Sequence, residues 1–329
     1  MHYNSKHLEI QTPDSLLQWR KVPLAASFLT ATYIVLTITL LFVRRSQYSQ
    51  LIDEGSDVSF DSVYSPALQM VPNQILKHPY SIILSNLVDV RIWKIIANSI
   101  NLLIGGTFIE RNAESSKELL KFILVIGSIT NLLVVIVTLS SSLVVPGVKI
   151  DVPIDGNYTA LVGFPIVYKQ LFPETSIFKI KDLGMLSKNF RFKLLPIFVM
   201  CTLTIGQLVF FHHFAQLLSI WITFFSCWIY LRYFQVLTST QNSSYMVGDA
   251  SDTFQLIYFF PDLVKPILRP IFDSTHRVFI KLKLIRPFQT DEVDRSNAVA
   301  EQRGAKKISD PVEERRKQLA LQVLQERMV

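Results

Sequence analysis

The chain holds two cysteines among 329 residues. Cys201 and Cys227 both fall inside apolar runs, so a disulfide framework is excluded and each thiol is expected to pack as a small hydrophobe. Glycine is sparse, at 11 residues, and no internal period is visible. Collagen-like, low-complexity and repeat architectures are set aside. Zinc-type ligand spacing is missing, and no basic stripe is interleaved with aromatics. No metal, no cofactor and no nucleic-acid partner is therefore expected. The acids Asp249 and Asp252 read as turn and helix caps rather than ligands. No cleavable leader is expected either. The first apolar run starts after 22 residues and ends at Arg44-Arg45 without a small-residue pattern, so it reads as a retained anchor.

Apolar residues are abundant. Half of the chain is hydrophobic, 23 residues are Phe, and the mean hydropathy is +0.32, values that soluble domains rarely reach. Six apolar runs stand out, near 23–43, 94–109, 119–139, 159–173, 195–212 and 216–236. The first, third and sixth approach the roughly 20 residues a helix needs to cross ~30 Å of hydrocarbon. The second and fourth are short and carry polar residues, as expected of spans that other helices shield. The fold class expected is all-α: a polytopic membrane bundle of six helices.

Basic residues set the orientation. With residues 1–22 in the cytosol, 27 of the 33 Lys and Arg fall on the cytosolic side. Only Arg44, Arg45, Lys77, Arg91, Lys94 and Lys149 fall on the other. Among the short loops, 169–193 holds six basic residues and 140–158 holds one, in line with the positive-inside rule. Both termini are then cytosolic, and the net charge of +7 suits an anionic cytosolic leaflet or an acidic partner.

The domain reading is a cytosolic lead over 1–22, a six-span membrane domain over 23–236 and a cytosolic tail over 237–329. Within the first long loop, 67–72 and 78–83 are amphipathic and read either as a membrane-surface segment or as a loop with a packed side. Asn98, Asn101 and the Gly105-Gly106 pair in the second run suit helix packing or a polar groove. In the tail, 254–285 mixes aromatics, aliphatics and prolines with charges that exclude a seventh span, and it reads as surface-lying or docked on the bundle. A terminal amphipathic helix is expected over 310–329, starting at Asp310-Pro311. Val312, Leu319, Val323, Leu324 and Met328 line one of its faces, and Arg315, Arg316, Leu319, Val323 and Leu324 are its candidate docking residues. Two sequons occur. Asn157-Tyr158-Thr159 sits at a membrane border, where poor glycosylation is expected, and Asn242-Ser243-Ser244 should be cytosolic and unmodified.

The run Gly156-Asn157-Tyr158-Thr159-Ala160-Leu161-Val162-Gly163 enters the fourth apolar segment and resembles a rhomboid protease motif that has lost its nucleophile. Tyr158 stands in the serine slot and Thr159 in the place of the second glycine. A phenol has a pKa near 10 and extends several ångströms further than a serine, so it cannot replace one in place. Thr159 lies one residue out of register. His213, at the head of the sixth run, matches the family histidine in order. The small-residue pattern after it is missing, since Phe214-Ala215-Gln216-Leu217 follows.

A closer resemblance is to the transmembrane protein 115 family of Golgi rhomboid-like pseudoproteases, of which the chain looks like a fungal member. It is carried by His78-Pro79-Tyr80 through Glu110-Arg111, by Glu118 to Phe122, by Gly163 through Glu174, and by Trp228 to Tyr233. The tail adds Gly248 to Phe254, Phe259-Phe260-Pro261, and Asp310 through Arg327. The resemblance implies a Golgi or early-secretory membrane protein of rhomboid-like fold, active in retrograde transport from Golgi to endoplasmic reticulum. It also implies self-association and a tail that contacts Golgi tethering or coat machinery. The reading that follows is a non-catalytic scaffold or client-binding protein. Its degenerate active-site positions are Gly156, Tyr158, Thr159, Gly163 and His213, and Asn98, Asn101 and Glu110 form its client or packing groove. The alternatives are client recognition for quality control or degradation, an intramembrane protease with a displaced nucleophile, and a channel or transporter. The last lacks inverted repeats.

Overall fold

Each of the six apolar runs carries a helix in a computed structural model, which describes residues 2–4, 8–11, 22–55, 57–112, 115–172, 178–180, 192–211, 213–238, 245–261 and 263–305. The helices are α1 (Leu24–Asp53), α2 (Ile92–Arg111), α3 (Ser116–Val144), α4 (159–171), α5 (Leu195–Phe210) and α6 (Phe214–Phe234). Two more follow in the tail, α7 (Lys265–Lys281) and α8 (Thr290–Gln302). The terminal helix expected over 310–329, with Arg315, Arg316, Leu319, Val323 and Leu324, lies outside the described residues, as does Asn242.

Helices α1, α2, α3 and α6 are long and apolar enough to cross a bilayer. Helix α4 is the short one and sits at the centre. Thr159, Ala160, Val162 to Val167, Lys169 and Gln170 are all buried. One core cluster joins it to Leu29 and Tyr33 of α1, Phe122 and Ile126 of α3, and Phe224 and Cys227 of α6. Outward-facing Phe28, Val35 and Phe42 of α1, Ile129 and Ile136 of α3, and Phe198 and Phe210 of α5 are exposed. That inverted exposure, apolar outside and polar within, suits lipid rather than water as solvent. Cys201 is exposed and Cys227 buried, both as free thiols.

Three features depart from the sequence reading. Helix α1 does not stop at Arg44-Arg45 but runs on to Asp53 and closes at Gly55, whose φ is +80°. Arg44 tolerates this because the loop beneath it supplies acceptors. Its Nε donates to the Val63 carbonyl at 2.6 Å, its Nη2 donates to the Phe60 carbonyl at 3.0 Å, and its guanidinium lies over the Phe60 ring. The second departure is a set of short strands. The lead forms β1 (His2–Asn4) and β2 (Leu8–Gln11), and β2 pairs antiparallel with β3 (Phe178–Ile180) between α4 and α5. The strands β4 (Val236–Thr238) and β5 (Tyr245–Val247) form a hairpin after α6. The lead and the α4–α5 connection therefore meet at one end of the bundle, called here the tail end. The third departure is the interruption of the helices by five π turns among the described residues, at Asn101–Gly105, Lys121–Ile126, Thr159–Gly163, Gln207–Phe211 and Tyr230–Phe234. Apolar periodicity does not reveal a one-residue insertion, and such turns gather at functional sites.

The loop from 57 to 91 packs on one side. Met70, Val71, Leu87 and Val88 are buried, and Met70 bridges to Ile154. Leu76 and Ile83 stay exposed.

At the tail end, four stretches that carried the resemblance come together. Arg232 of α6 is buried, and its Nη1 donates to the Asp249 and Ser251 carbonyls, each at 2.6 Å. Lys169 of α4 donates to the Tyr258 carbonyl at 2.8 Å and lies 3.2 Å from the centre of the Phe259 ring. Gln170 bonds Gln235, and Trp228 Nε1 donates to the Phe254 carbonyl. Phe254 and Phe259 enter the bundle core beside Phe224. Asp249 accepts from the backbone and hydroxyl of Ser251, and Asp252 pairs with Asn297 of α8. The segment around 248–260 is thus part of the bundle. Gly248 makes its entry possible. Its φ is +82°, and a Cβ there would lie 2.3 Å from the Arg232 carbonyl oxygen. A left-handed backbone costs an L-residue roughly 1–2 kcal/mol before any clash. Gly248→Ala should therefore speed amide exchange over 249–260 by about tenfold or more, 1.4 kcal/mol being a factor of ten, while α1 and α3 keep their protection. Unchanged exchange in that segment would show that the docked tail does not depend on the turn.

Candidate functional site

The bundle end opposite the tail buries a lysine. Asp89 ends the loop before α2, Lys94 lies in the first turns of the helix, and Asn98 follows four residues later on the same face. Lys94 is fully buried. Its Nζ lies 2.9 Å from Asp155 Oδ2, 2.9 Å from Asn157 Oδ1 and 3.4 Å from Asp89 Oδ1. The fourth side is the Tyr158 ring, whose centre lies 4.2 Å away. Asp89 turns its other oxygen to the Tyr33 hydroxyl of α1 at 2.7 Å and to Asn98 Nδ2 at 2.8 Å. Asn157 Nδ2 closes the ring of contacts by donating to the Val88 carbonyl. Three stretches far apart in the chain, α1, residues 88–98 and residues 155–158, thus meet around one ammonium group. Beside it, Asp89, Asp155, Gln69, Ser85 and Gly156 help line a cavity of about 10 Å³, room for about one water molecule.

Two carboxylates share this one cation, and they respond differently. Burial raises the Asp89 carboxyl, and the neighbouring Asp155 charge adds to the rise beyond what Lys94 offsets. Burial also acts to raise Asp155, but the Lys94 charge and hydrogen bond outweigh it and hold Asp155 below the usual carboxylate range. Burial lowers the His213 imidazole, against the pull of Asp155.

The sequence-derived positions divide as follows. Tyr158 is buried, and its hydroxyl accepts from Gln207 Nε2 at 3.5 Å. His213 caps α6, its Nδ1 accepting from the Gln216 backbone at 3.4 Å, so that Nε2 carries the proton of the neutral ring. Nε2 is buried and makes no hydrogen bond among the described residues, so none links the His213 ring to a serine or threonine hydroxyl. The Thr159 hydroxyl is buried with no hydrogen-bond partner there. Gly156 is a contact point: a Cβ would sit 2.3 Å from Ser85 Oγ and 2.7 Å from Asn131 Nδ2. Asn131 in turn donates to Ser85, Asn86 and the Ile82 carbonyl. At Gly163 a Cβ would meet Phe122 at 2.8 Å and Cys227 Sγ at 2.9 Å.

Asn98, Asn101 and Glu110 stand at three levels of α2. Asn98 belongs to the Lys94 cluster. Asn101 donates to the Ala160 carbonyl inside the π turn of α4, where the displaced ladder frees an acceptor. Glu110 lies at the tail end. It accepts from the Ala26 backbone amide at 2.9 Å, satisfying the start of α1, and from the Ser116 hydroxyl. Sequence reasoning missed Lys94, Asp89, Asp155 and Tyr33 as a unit. The available signal was a lysine and an aspartate at the mouth of a span, where a charge needs a partner. The sequon residue Asn157 is buried with both ends of its amide engaged, so it offers no glycosylation site in the folded chain.

The comparisons with known proteins agree with this architecture. The model of a family described as eukaryotic integral membrane protein, DUF1751, matches residues 27–329. A Saccharomyces cerevisiae protein named transmembrane protein 115 homolog is 55% identical over all of this chain and 99% of its own length. Rhomboid-like protein 19 of Arabidopsis thaliana is 28% identical over 67% of this chain and 69% of its own. Human transmembrane protein 115 is 25% identical over 54% of this chain and 46% of its own. No solved structure matches.

Removing one member of a buried ion cluster strands the others, at a cost of about 3–5 kcal/mol. Lys94→Met should therefore lower the thermal midpoint in detergent markedly, and adding Asp155→Asn should recover part of the loss. A Lys94→Met protein that melts like the wild type would remove the cluster from its structural role. The pH dependence has a definite sign. Asp89, raised in the fold, contributes stability that is complete below about pH 4, the ordinary carboxylate range, and is lost as pH rises through its folded value. Asp155, lowered in the fold, contributes above that range and loses its share as pH falls through its own folded value. Asp89→Asn removes only the first contribution. The stability gap between wild type and Asp89→Asn should then widen as pH is lowered from 7 toward 4, and a gap independent of pH would contradict the assignment.

Proposed function

Because the chain belongs to the DUF1751 family of eukaryotic integral membrane proteins, we propose that it is a non-catalytic, rhomboid-like scaffold or client-binding protein acting in Golgi-to-endoplasmic-reticulum retrograde transport. The observation that carries the non-catalytic part is what surrounds position 158. A serine nucleophile needs a base within hydrogen-bond reach and an open oxyanion site. Here a buried tyrosine ring fills that position with an ammonium group against its face, and the His213 ring accepts from a backbone amide instead of a hydroxyl. The cluster reads as a plug in the place where an active site would lie.

The client-binding part draws on the geometry of α4. Its thirteen residues span ~20 Å at 1.5 Å per residue, against ~30 Å of hydrocarbon. A central helix that short favours local thinning of the bilayer around the bundle. The Golgi setting and the transport role extend the family resemblance to this chain. The cytosolic placement of the tail end follows the distribution of Lys and Arg, and the pairing of the lead with Phe178–Ile180 keeps those two basic segments at one end. Tethering or coat machinery is proposed to bind the tail through its last twenty residues, and membrane clients to bind the bundle. Self-association is retained as part of the same reading.

The deciding experiment measures leakage of a retrieval-signal-bearing resident protein from cells lacking the chain. Rescue is attempted with the wild type, with Tyr158→Ser and with a form truncated after residue 308. The expected result is repair by the wild type and none by the truncation, while Tyr158→Ser, which strips the ring from Lys94, repairs less in step with a lower level of folded protein. Absence of leakage in the deleted cells, with normal Golgi glycosylation, would overturn the transport reading in favour of client degradation or a lipid role for the bundle.

A further inference from the structure

Among the described residues, helix α7 is the tail helix in which no residue is buried. Its residues nevertheless sort by face. At 100° per residue, Val264, Ile267, Leu268, Ile271, Phe272, Val278, Phe279 and Leu282 fall within an arc of about 140°. One edge of that arc leans on the docked tail: Leu268, Phe272 and Phe279 are half-buried, and the Phe272 ring lies 5.6 Å from Phe260. The other edge is unpartnered. Leu263, just ahead of the helix, is 91% exposed, and Ile267 is 68%, Ile271 54%, Val278 50% and Leu282 63% exposed, an apolar stripe interrupted at Ser274-Thr275.

The charge around that stripe is of one sign. Residues 263–286 carry six basic side chains, Lys265, Arg269, Arg277, Lys281, Lys283 and Arg286, against the single acid Asp273. Arg269, Arg277, Lys281 and Lys283 form no ion pair with described residues. Lys281 flanks the exposed stripe, where a long basic stem lies along apolar surface and lifts its charge to the headgroups, while Arg277 lies toward the Asp273 face. Position agrees with composition. The helix begins beside the docked segment, with Lys265 Nζ over the Tyr258 ring at 4.7 Å. That docked segment is itself held by Lys169 at the end of α4 and Trp228 near the end of α6, so the helix starts at the tail end of the bundle.

We propose that α7 is an interfacial helix that lays its Ile267–Ile271–Val278–Leu282 stripe into the anionic lipid leaflet at the tail end of the bundle. A stripe of aliphatic residues inserts into the boundary between headgroups and acyl chains, and basic flanks bind acidic phospholipid at about 1 kcal/mol each. An acidic protein would satisfy the charges but not the stripe. A second copy of the chain would cover the stripe but bring like charges together. The assignment to the cytosolic leaflet rests on the orientation proposed above, and lipid contact itself does not.

The test uses the full-length protein with Cys201→Ser, leaving Cys227 buried, and a fluorophore at Ile271→Cys. A second protein carries the label at Asp273→Cys on the opposite face. Both are placed in nanodiscs of phosphatidylcholine alone or with about a third phosphatidylserine in both leaflets, so that orientation does not matter. In the anionic discs the label at 271 should be quenched by a nitroxide-bearing lipid and protected several-fold from aqueous iodide, while the label at 273 stays open to iodide. Joint charge reversal, Arg269→Glu, Arg277→Glu, Lys281→Glu and Lys283→Glu, should abolish at least half of that protection. Iodide access at 271 in both discs overturns the proposal. So does lipid quenching that is equal in neutral and anionic discs, because it denies the headgroup preference. Protection that grows with protein concentration also overturns it, placing a second copy on the stripe. Each of these can fail while retrieval in cells is intact, so the two proposals stand or fall separately.

Discussion

Burying the Lys94 ammonium is the constraint around which this molecule is built. Removing an ion from water costs several kcal/mol even after relaxation, and the loss is offset only where charge and hydrogen bonds are supplied with good geometry. Here the supply comes from Asp155 and Asn157 on the strand-like run before α4, from Asp89 on the loop before α2, and from the face of Tyr158. Asp89 is itself held by Tyr33 of α1 and Asn98 of α2. In lipid, helices gain little from hydrophobic contact with one another, since the tails outside are as apolar as the side chains within. The position of α4 among its neighbours is therefore set by close packing, as at Gly163, and by polar ties such as Asn101 to Ala160. The Lys94 cluster is the densest of these ties.

That constraint bears on the degenerate motif. A serine at position 158 would remove the phenol from above Lys94 and leave the ammonium facing a space, with its two aspartates unchanged. His213 would still present its acceptor nitrogen to the start of α6. Glycine at 156 is kept by Ser85 and Asn131, which occupy the volume a side chain would need. Each of these positions answers to a structural neighbour, so a single substitution meets resistance from several contacts at once. This is the physical sense in which the site has been committed to holding the bundle together.

The six helices were legible because each is a mostly apolar run, and the run does not depend on distant residues. Asn98 and Asn101 were legible as inward-facing amides for the same local reason, a polar group in a span needing a partner. What escaped was pairwise. Arg44 looked like the end of α1 because a charge at a membrane border usually marks one, but Phe60 and Val63, which let the helix continue, lie sixteen and nineteen residues away. Lys94 and Arg91 were counted as border charges, and nothing local shows that Asp155 waits for Lys94 sixty-one residues on. Glu110 was grouped with the groove although it caps α1 from the far end of α2. A cap formed across 84 residues has no sequence pattern. The π turns escaped because one extra residue per turn shifts the apolar face by too little to read.

The tail end completes the argument about what the bundle can transmit. Arg232 and Lys169 sit at the ends of α6 and α4, and both spend their donors on carbonyls of the tail. Phe254 and Phe259 reach the same core that Tyr158 and Phe164 enter from the other direction. A load applied to the tail therefore falls on α4 and α6, the two helices whose opposite ends carry Tyr158 and His213. The Lys94 cluster resists at one end and the docked tail pulls at the other, with α4 as the short rigid element between them. If clients act on the polar end and machinery on the tail, the coupling between them must pass through α4. The residues that decide it are then the packing contacts of Gly163 and the Asn101 tie rather than any group able to do chemistry.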